Sequence, residues 1–306
     1  MRIKVLGAAA GGGFPQWNCA CPNCRDVRAG ILGAGPLTQE CVALGTDDGH
    51  WFLLNASPEI RSQVESFPPL HPRSTRHSPI AAVVLTNGDL DHTLGLLSLR
   101  ESYPLVLYAT ERVRQGFIED NVLYRTLMRF PGQVTWNALP LGRAIELNGA
   151  GAKPSGLTVE AVPAPGKPPL HLEGRVAADP EDNIGLLIRD LRTGGCLAYF
   201  SAAGGVDSAV RQALEDADCV FFDGTFWSSE ELIKLGLGTR RAEDMAHLPV
   251  GGAGGSLERL AGLRAPRRIY IHINNTNPLL RPGSPERRQA EAGGWEIAHD
   301  GMEAAL

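Results

Sequence analysis

The stretch 85-LTNGDLDHTLGLLSLRE-101 decides how this chain is read. The apolar residues before it, 81-AAVV-84, have the look of a buried strand, and a helical pattern follows from Thr93. Between them stand Asn87, Asp89, Asp91 and His92. Adjacent residues of a regular strand point to opposite faces, so Asp91 and His92 serve one site only from a loop or a helix start. Asp91 alone could be no more than a helix N-cap. The pattern repeats elsewhere: 219-CVFF-222 runs into Asp223, and 268-RIYI-271 runs into His272. Loops beyond the carboxyl ends of strands are where α/β folds assemble their sites. If these strands are neighbours, Asp91, His92, His272 and Asp223 form one site.

Around this segment, strand-like runs occur at 2–6, 41–46, 51–55, 81–86, 105–108, 157–162, 184–188, 196–200, 219–223 and 268–273. Helical stretches are expected near 58–64, 93–100, 111–122, 206–217 and 256–263. Asp48-Gly49 is a hairpin turn. The early strands read as hairpin-paired and the later ones alternate with helices. This predicts an α/β fold of mixed sheets with helices outside, as two αβ halves sharing one core in a single domain over residues 1–306. The junction is expected near 148–156, NGAGAKPSG.

A chain of 306 residues with 43% hydrophobic residues can bury a sizeable core. Its net charge of −5 argues against a nucleic-acid or anionic-membrane binder. No apolar run approaches the roughly 18 residues of a membrane span, and glycines break the start too early for a signal peptide, so a cytoplasmic location is expected. The glycines at 11–13 and 251–255 fit neither G-x-G-x-x-G nor a P-loop and read as places where backbone passes close to another segment.

Three of the six cysteines, Cys19, Cys21 and Cys24, crowd into one turn. That spacing suits a tetrahedral zinc needing a fourth ligand, and three thiolates make such a site structural rather than catalytic. Cys41, Cys196 and Cys219 fall in strand-like runs and read as core residues. Two histidines with one carboxylate are the ligand set of non-haem Fe(II) sites with open positions; the same set also holds Zn²⁺. His247, before a glycine loop, is a candidate proton donor or partner to a ligand.

These segments resemble the metallo-β-lactamase superfamily. The stretches 6-LGAAAGGGFPQWNCACPNC-24, 85-LTNGDLDHTLGLLSLRE-101, 247-HLPVGGAGGS-256 and 270-YIHINNTNP-278 resemble, more narrowly, the coenzyme PQQ biosynthesis protein B family. The resemblance implies an αββα sandwich. In the superfamily the loop usually reads H-x-H-x-D-H; here Asn87 and Asp89 stand where the first-metal histidines would be. The segment 160-EAVPAPGKPP-169 also lacks an expected histidine. A first metal site is thereby damaged, and a second remains on Asp91, His92 and His272, with Asp223 as a further candidate. The resemblance also implies that Asn275 is the fourth ligand of the cysteine zinc, with water or His247 as alternatives.

For function, the resemblance implies pyrroloquinoline quinone biosynthesis: Fe(II)- and O₂-dependent hydroxylation of the tyrosine in a Glu-Tyr precursor. Asp89 and Asp223 would orient ligands or move protons, and Asn87 would contact substrate or oxygen. The alternatives are a non-catalytic carrier of the quinone or its precursor towards the periplasm, and a zinc hydrolase on the same scaffold. The oligomeric state stays open, with a homodimer as the expectation.

Overall fold

The computed structural model describes every residue except Ala150 and Ala152. Its strands are β1 (Arg2–Gly7), β2 (Cys41–Gly45), β3 (Trp51–Leu54), β4 (Ile80–Val84), β5 (Leu105–Ala109), β6 (Val134–Ala138), β7 (Ile145–Asn148), β8 (Pro154–Pro163), β9 (Ile184–Asp190), β10 (Cys196–Phe200), β11 (Cys219–Asp223), β12 (Arg267–Ile271), β13 (Glu296–Ile297) and β14 (Glu303–Ala305). The helices are α1 (Pro22–Arg28), α2 (Ile60–Ser66), α3 (Leu90–Thr93), α4 (Glu111–Ile118), α5 (Ser208–Glu215), α6 (Glu231–Lys234), α7 (Ser256–Arg259) and α8 (Pro285–Ala292).

The strands form two seven-stranded sheets, ordered β14-β1-β2-β3-β4-β5-β6 and β13-β12-β11-β10-β9-β8-β7. In each, a parallel set (β3 to β6, β10 to β13) adjoins antiparallel strands, which makes both sheets mixed. The sheets pack face to face, and each covers its outer face with helices. Strand β11 shows why its sequence reads as one apolar run. Cys219 and Phe221 enter the core between the sheets with Leu44, Phe52 and Leu186. Val220 and Phe222 enter the outer core with Val210 and Leu214 of α5. Strands buried on both faces lose the polar alternation of an exposed sheet. The architecture is the αββα sandwich.

All ten strand-like runs are strands. Four short edge-proximal strands, β6, β7, β13 and β14, lack a comparable apolar signal. The chain passes from the first sheet to the second between β6 and β7. The expected junction at 148–156, of which Ala150 and Ala152 lie outside the described residues, therefore falls between two strands of the second sheet. The helix expected at 93–100 is instead a turn of α-helix, α3, followed by a 3₁₀ segment at Leu94–Leu99. Close packing explains the tightening: Gly95 N–H donates to Ala56 O, and a Cβ there would lie 2.1 Å from Ser57 O. The helix expected at 256–263 stops at Arg259. Helices α1 and α8 each begin with proline behind a capping side chain, Cys21 and Ser284.

The second glycine loop does pass close to a ring: a Cβ on Gly251 would lie 2.5 Å from the Trp227 ring. In the first, a Cβ on Gly11 would lie 3.1 Å from Asp91 Oδ2, and Gly13 has only ordinary contacts. No helix among the described residues is long and apolar enough to cross a membrane.

Candidate metal centres

The cysteine loop folds onto the outer face of the second sheet. Cys21 caps α1 and its Sγ accepts from Cys24 N–H at 3.5 Å, so the helix start itself turns the thiols together. All three are buried, and their sulfurs lie within 4.8 Å of one another. Asn275 closes the cluster from the loop after β12: its Nδ2 lies 3.2, 3.7 and 3.3 Å from the sulfurs of Cys19, Cys21 and Cys24. The amide nitrogen donates to sulfur in this arrangement. A half-turn of the amide would present Oδ1, the atom a cation requires. Asn275 therefore occupies the expected fourth position. His247 does not; it sits at the other cluster.

The thiols polarise one another. Burial works against ionising Cys19, but hydrogen bonds from Cys21, Cys24 and Asn275 outweigh it and pull its pKa below the ordinary thiol value. Burial and the neighbouring thiols push Cys21 up to about 12. Three buried sulfurs within 4.8 Å of one another fit a soft, thiophilic cation such as Zn²⁺.

The second cluster lies where β4, β11 and β12 end. Asp91 and His92 sit in the single turn of α3, and the N-cap position belongs to Asp89, without a side-chain capping bond. Asp91 is thus free of the capping role and turns to His272, whose Nε2 lies 3.1 Å from Asp91 Oδ2. His92 Nε2 lies 4.0 Å from the same oxygen. His272 holds a left-handed backbone, φ 60°, which swings its ring out of the strand direction.

Two threonines fix which ring nitrogens face the cluster. Thr86 N–H donates to Asn55 Oδ1 at 3.0 Å, which orients that amide, and Thr86 Oγ1–H also donates to it at 3.1 Å. With its proton committed, the hydroxyl accepts from His92 Nδ1 at 3.3 Å. Thr225 repeats the device: Oγ1 donates to Asp223 Oδ1 at 2.6 Å and accepts from His272 Nδ1 at 2.8 Å. With Nδ1 donating to these hydroxyls, each ring keeps Nε2, the atom beside Asp91, as the one a cation between them would take up.

His92 Nε2 is buried and has no hydrogen-bond partner among the described residues. Burial holds the His92 pKa down to about 4, so the ring is neutral near neutral pH. Asp91 is held well below the usual carboxylate range: burial opposes this, but His92 and His272 prevail. An ionised carboxylate and two imidazole Nε2 atoms converging on one face fit a divalent cation. Beneath them lies Glu40, wholly buried, with Oε2 bonded to Asn55 Nδ2 at 2.8 Å and 3.5 Å from His92 Nε2. Burial, reinforced by Asp91, drives its pKa well above the ordinary value, and Oε1 is unpaired among the described residues.

Asp223 behaves differently from the expected ligand. Its oxygens take four donors: Thr225 N and Oγ1, Ala203 N at 2.8 Å and His247 Nδ1 at 2.7 Å. Asp223, His247 and His272 are close enough to form an alternative cluster, to which His272 would bring Nε2, its Nδ1 being bonded to Thr225. In this arrangement Asp223 organises the site through Thr225 and His247. Burial opposes protonation of His247, yet the adjoining Asp223 carboxylate raises its pKa on balance, and its ring stacks on His272 at 5.4 Å. Asn87 bonds Asn183 Oδ1 at 3.2 Å and accepts from Asp89 N–H at 3.0 Å, so it braces the loop across the two sheets. Burial raises the pKa of Asp89, whose Oδ1 accepts from Leu170 N–H at 3.3 Å. The cluster opens into a cavity of about 300 Å³ lined by Asn87, Asp89, Lys167, Phe226, Arg240 and His247 among others.

The sequence reading passed over Thr86, Thr225, Asn55, Glu40, Lys167 and Arg240. Thr225, two residues after Asp223, carried a local signal. Asn55 and Glu40 carried none, because only folding brings them beneath His92.

A sandwich of two mixed sheets with a strand-end carboxylate–histidine centre defines a protein of the metallo-β-lactamase class. The Beta-lactamase superfamily domain matches residues 50–273. Coenzyme PQQ synthesis protein B of Azotobacter vinelandii is 44% identical over 307 residues, covering 100% of both chains. The protein of that name from Pseudomonas syringae pv. syringae is 43% identical over 309 residues, again covering 100% of both. A crystal structure of Zn²⁺-bound PqqB from Methylobacterium extorquens superposes with a TM-score of 0.92 at 40% identity over 100% of both chains. A diphosphatase of the PhnP family, 21% identical with a TM-score of 0.67 and covering 100% of this chain and 97% of its own, shares the fold. This chain belongs to the coenzyme PQQ synthesis protein B family.

Proposed function

We propose that this chain acts in PQQ synthesis as a mononuclear Fe(II) hydroxylase that adds oxygen to the tyrosine ring of a Glu-Tyr precursor. The observation that supports it best is the orphaned, buried Nε2 of His92, which converges with His272 Nε2 and Asp91 on one face of an open cavity. Asp91, His92 and His272 would hold the iron, and Cys19, Cys21 and Cys24 with Asn275 a structural zinc. The zinc-bound state of the Methylobacterium relative supports metal binding in the family.

Ferrous iron held by Asp91, His92 and His272 would supply activation of O₂; the overall change would put one oxygen into the ring C–H bond as hydroxyl and release the other as water, with two electrons and two protons from an external reductant. The residues of this chain supply the setting. Phe226, Leu232 and Met245 give the cavity an apolar wall for an aromatic ring. His247, held on Asp223, keeps a proton beside the reacting face. Asn87 and Asp89, tied to Asn183 and Leu170, do not rebuild a first metal site, which counts against a two-metal hydrolase.

The test is anaerobic reconstitution with Fe(II), then addition of O₂, a reductant and Glu-Tyr substrate. Stoichiometric O₂ uptake with a catechol product is expected. Oxygen consumption no higher than in the metal-free control overturns the reading, and tight retention of unaltered quinone by that same protein would mark a carrier.

A further inference from the structure

The cavity beside Asp91, His92 and His272 contains two fixed cations that the metal chemistry leaves unused, Lys167 and Arg240. They come from separate parts of the chain, the loop after β8 and the loop after α6. Both turn to one carboxylate, Glu173: Lys167 Nζ lies 3.4 Å from Oε2, and Arg240 Nη2 lies 2.9 Å from Oε1.

Each backbone that carries a cation is held in place. Around Lys167, Ala164 N–H donates to Asn183 O at 3.1 Å, and Gly204 N–H donates to Pro165 O at 2.6 Å. Gly166 packs so tightly on Asn183 that a Cβ would lie 2.4 Å from the Asn183 Cβ. Asn183 in turn holds Asn87, so the lysine loop and the metal-site loop share one anchor. Beside Arg240, Arg241 N–H donates to Asp244 Oδ2 at 2.8 Å, and Arg240 also donates to Asp244 O. By contrast, the bridging Glu173 is about one-third exposed, and the Lys167 contact is long. Partly exposed ion pairs of this kind are weakly held. An arginine fork and a lysine lining one cavity and turned to one carboxylate are well suited to grip another.

We propose that Lys167 and Arg240 form the carboxylate subsite of this cavity, that Glu173 is a placeholder there, and that an anionic substrate displaces Glu173 when it binds. The proposal rests on the Glu-Tyr reading above and deepens it. The substrate class is an acidic amino-acid unit whose carboxylate is read by the cation pair while its aromatic ring lies toward the metal ligands. An uncharged amide cannot replace the Glu173 carboxylate on the two cations, so discrimination is built in.

The experiment measures binding of Glu-Tyr, Gln-Tyr and Glu-Tyr amide to the full-length, zinc-loaded protein without oxygen, by calorimetry. The wild type is expected to prefer Glu-Tyr over at least one amide analogue by about tenfold or more. Lys167→Ala and Arg240→Ala should each bring that preference close to unity, and Lys167→Arg should restore most of it. Glu173→Gln should tighten Glu-Tyr binding several-fold relative to the uncharged analogue. Zinc content and melting temperature of each variant confirm that it is folded. Unchanged preference in Lys167→Ala and Arg240→Ala overturns the subsite. Because no turnover is involved, the two readings fail separately: charge-dependent binding without hydroxylation sinks only the hydroxylase. Hydroxylation with charge-blind binding sinks only the subsite.

Discussion

Cys19, Cys21 and Cys24 are gathered by one turn at the head of α1, whereas Asp91 and His272 stand 181 residues apart and meet only because their strands end on the same side of the sandwich. The cysteine cluster is closed: its sulfurs face one another and Asn275 lies across them. The Asp91 cluster is open to a cavity and propped from behind by Thr86, Thr225, Asn55 and Asp223. The difference teaches a division of labour. A site made of adjacent residues with no free face stabilises the local chain, while a site made of distant residues with a free face has room for a ligand.

The largest expected effect is on the open site. Asp91→Ala or His272→Asn should remove its metal and cut hydroxylation by about a thousandfold or more, yet leave the melting temperature within a few degrees. Asparagine is chosen because it tolerates the left-handed backbone at position 272. Metal analysis, O₂ uptake and calorimetry check this; a large fall in melting temperature would erase the contrast between the sites. Cys24→Ala should do the reverse, releasing zinc and lowering stability by about 2–5 kcal/mol, read from denaturant unfolding.

A finer cut removes one hydroxyl. Thr86→Val and Thr225→Val keep the side-chain shape but delete the acceptor for His Nδ1, and should weaken metal binding at the open site about 10–100-fold. Serine at either position should recover it, and zinc at the cysteines should not change. Competition with a metal-binding dye gives the numbers.

The smallest effect is in proton release. Near neutral pH Asp91 is ionised and His92, at about 4, is neutral, so neither of these two ligands releases a proton on metal loading. The His92 contribution to affinity at that site should be lost as the pH drops towards about 4 and His92 takes up a proton. Cys21, pushed up to about 12, still holds its proton near neutrality and must lose it to bind metal. Zinc affinity at the cysteines should therefore rise by about tenfold per pH unit for each proton displaced. Indicator-dye titration of metal-free protein during zinc addition separates the two; equal proton release at both sites would contradict the assigned ionisation states.

Much of the fold was legible because strands such as β10 and β11, buried on both faces, are written as unbroken apolar runs. Short edge strands such as β13, with two residues and one exposed, leave no such trace. The ligand residues were legible for a related reason: an ionisable group directly after an apolar run marks a strand end. Asp223 shows the limit. Residue type and position name it a candidate ligand, but the four donors around its oxygens are visible only once the chain is folded.

The sequence by itself determined the layered α/β class, the three-thiol cluster and the Asp91-His92 pair, because strand period, helix caps and short ligand spacings are properties of neighbouring residues. Only the tertiary structure decided that Thr86 and Thr225 set the imidazole tautomers, that Glu40 and Asn55 lie beneath His92, and that Lys167 and Arg240 share the cavity. Those relations depend on the directions in which side chains leave distant strand ends, and such directions are fixed by how the two sheets pack.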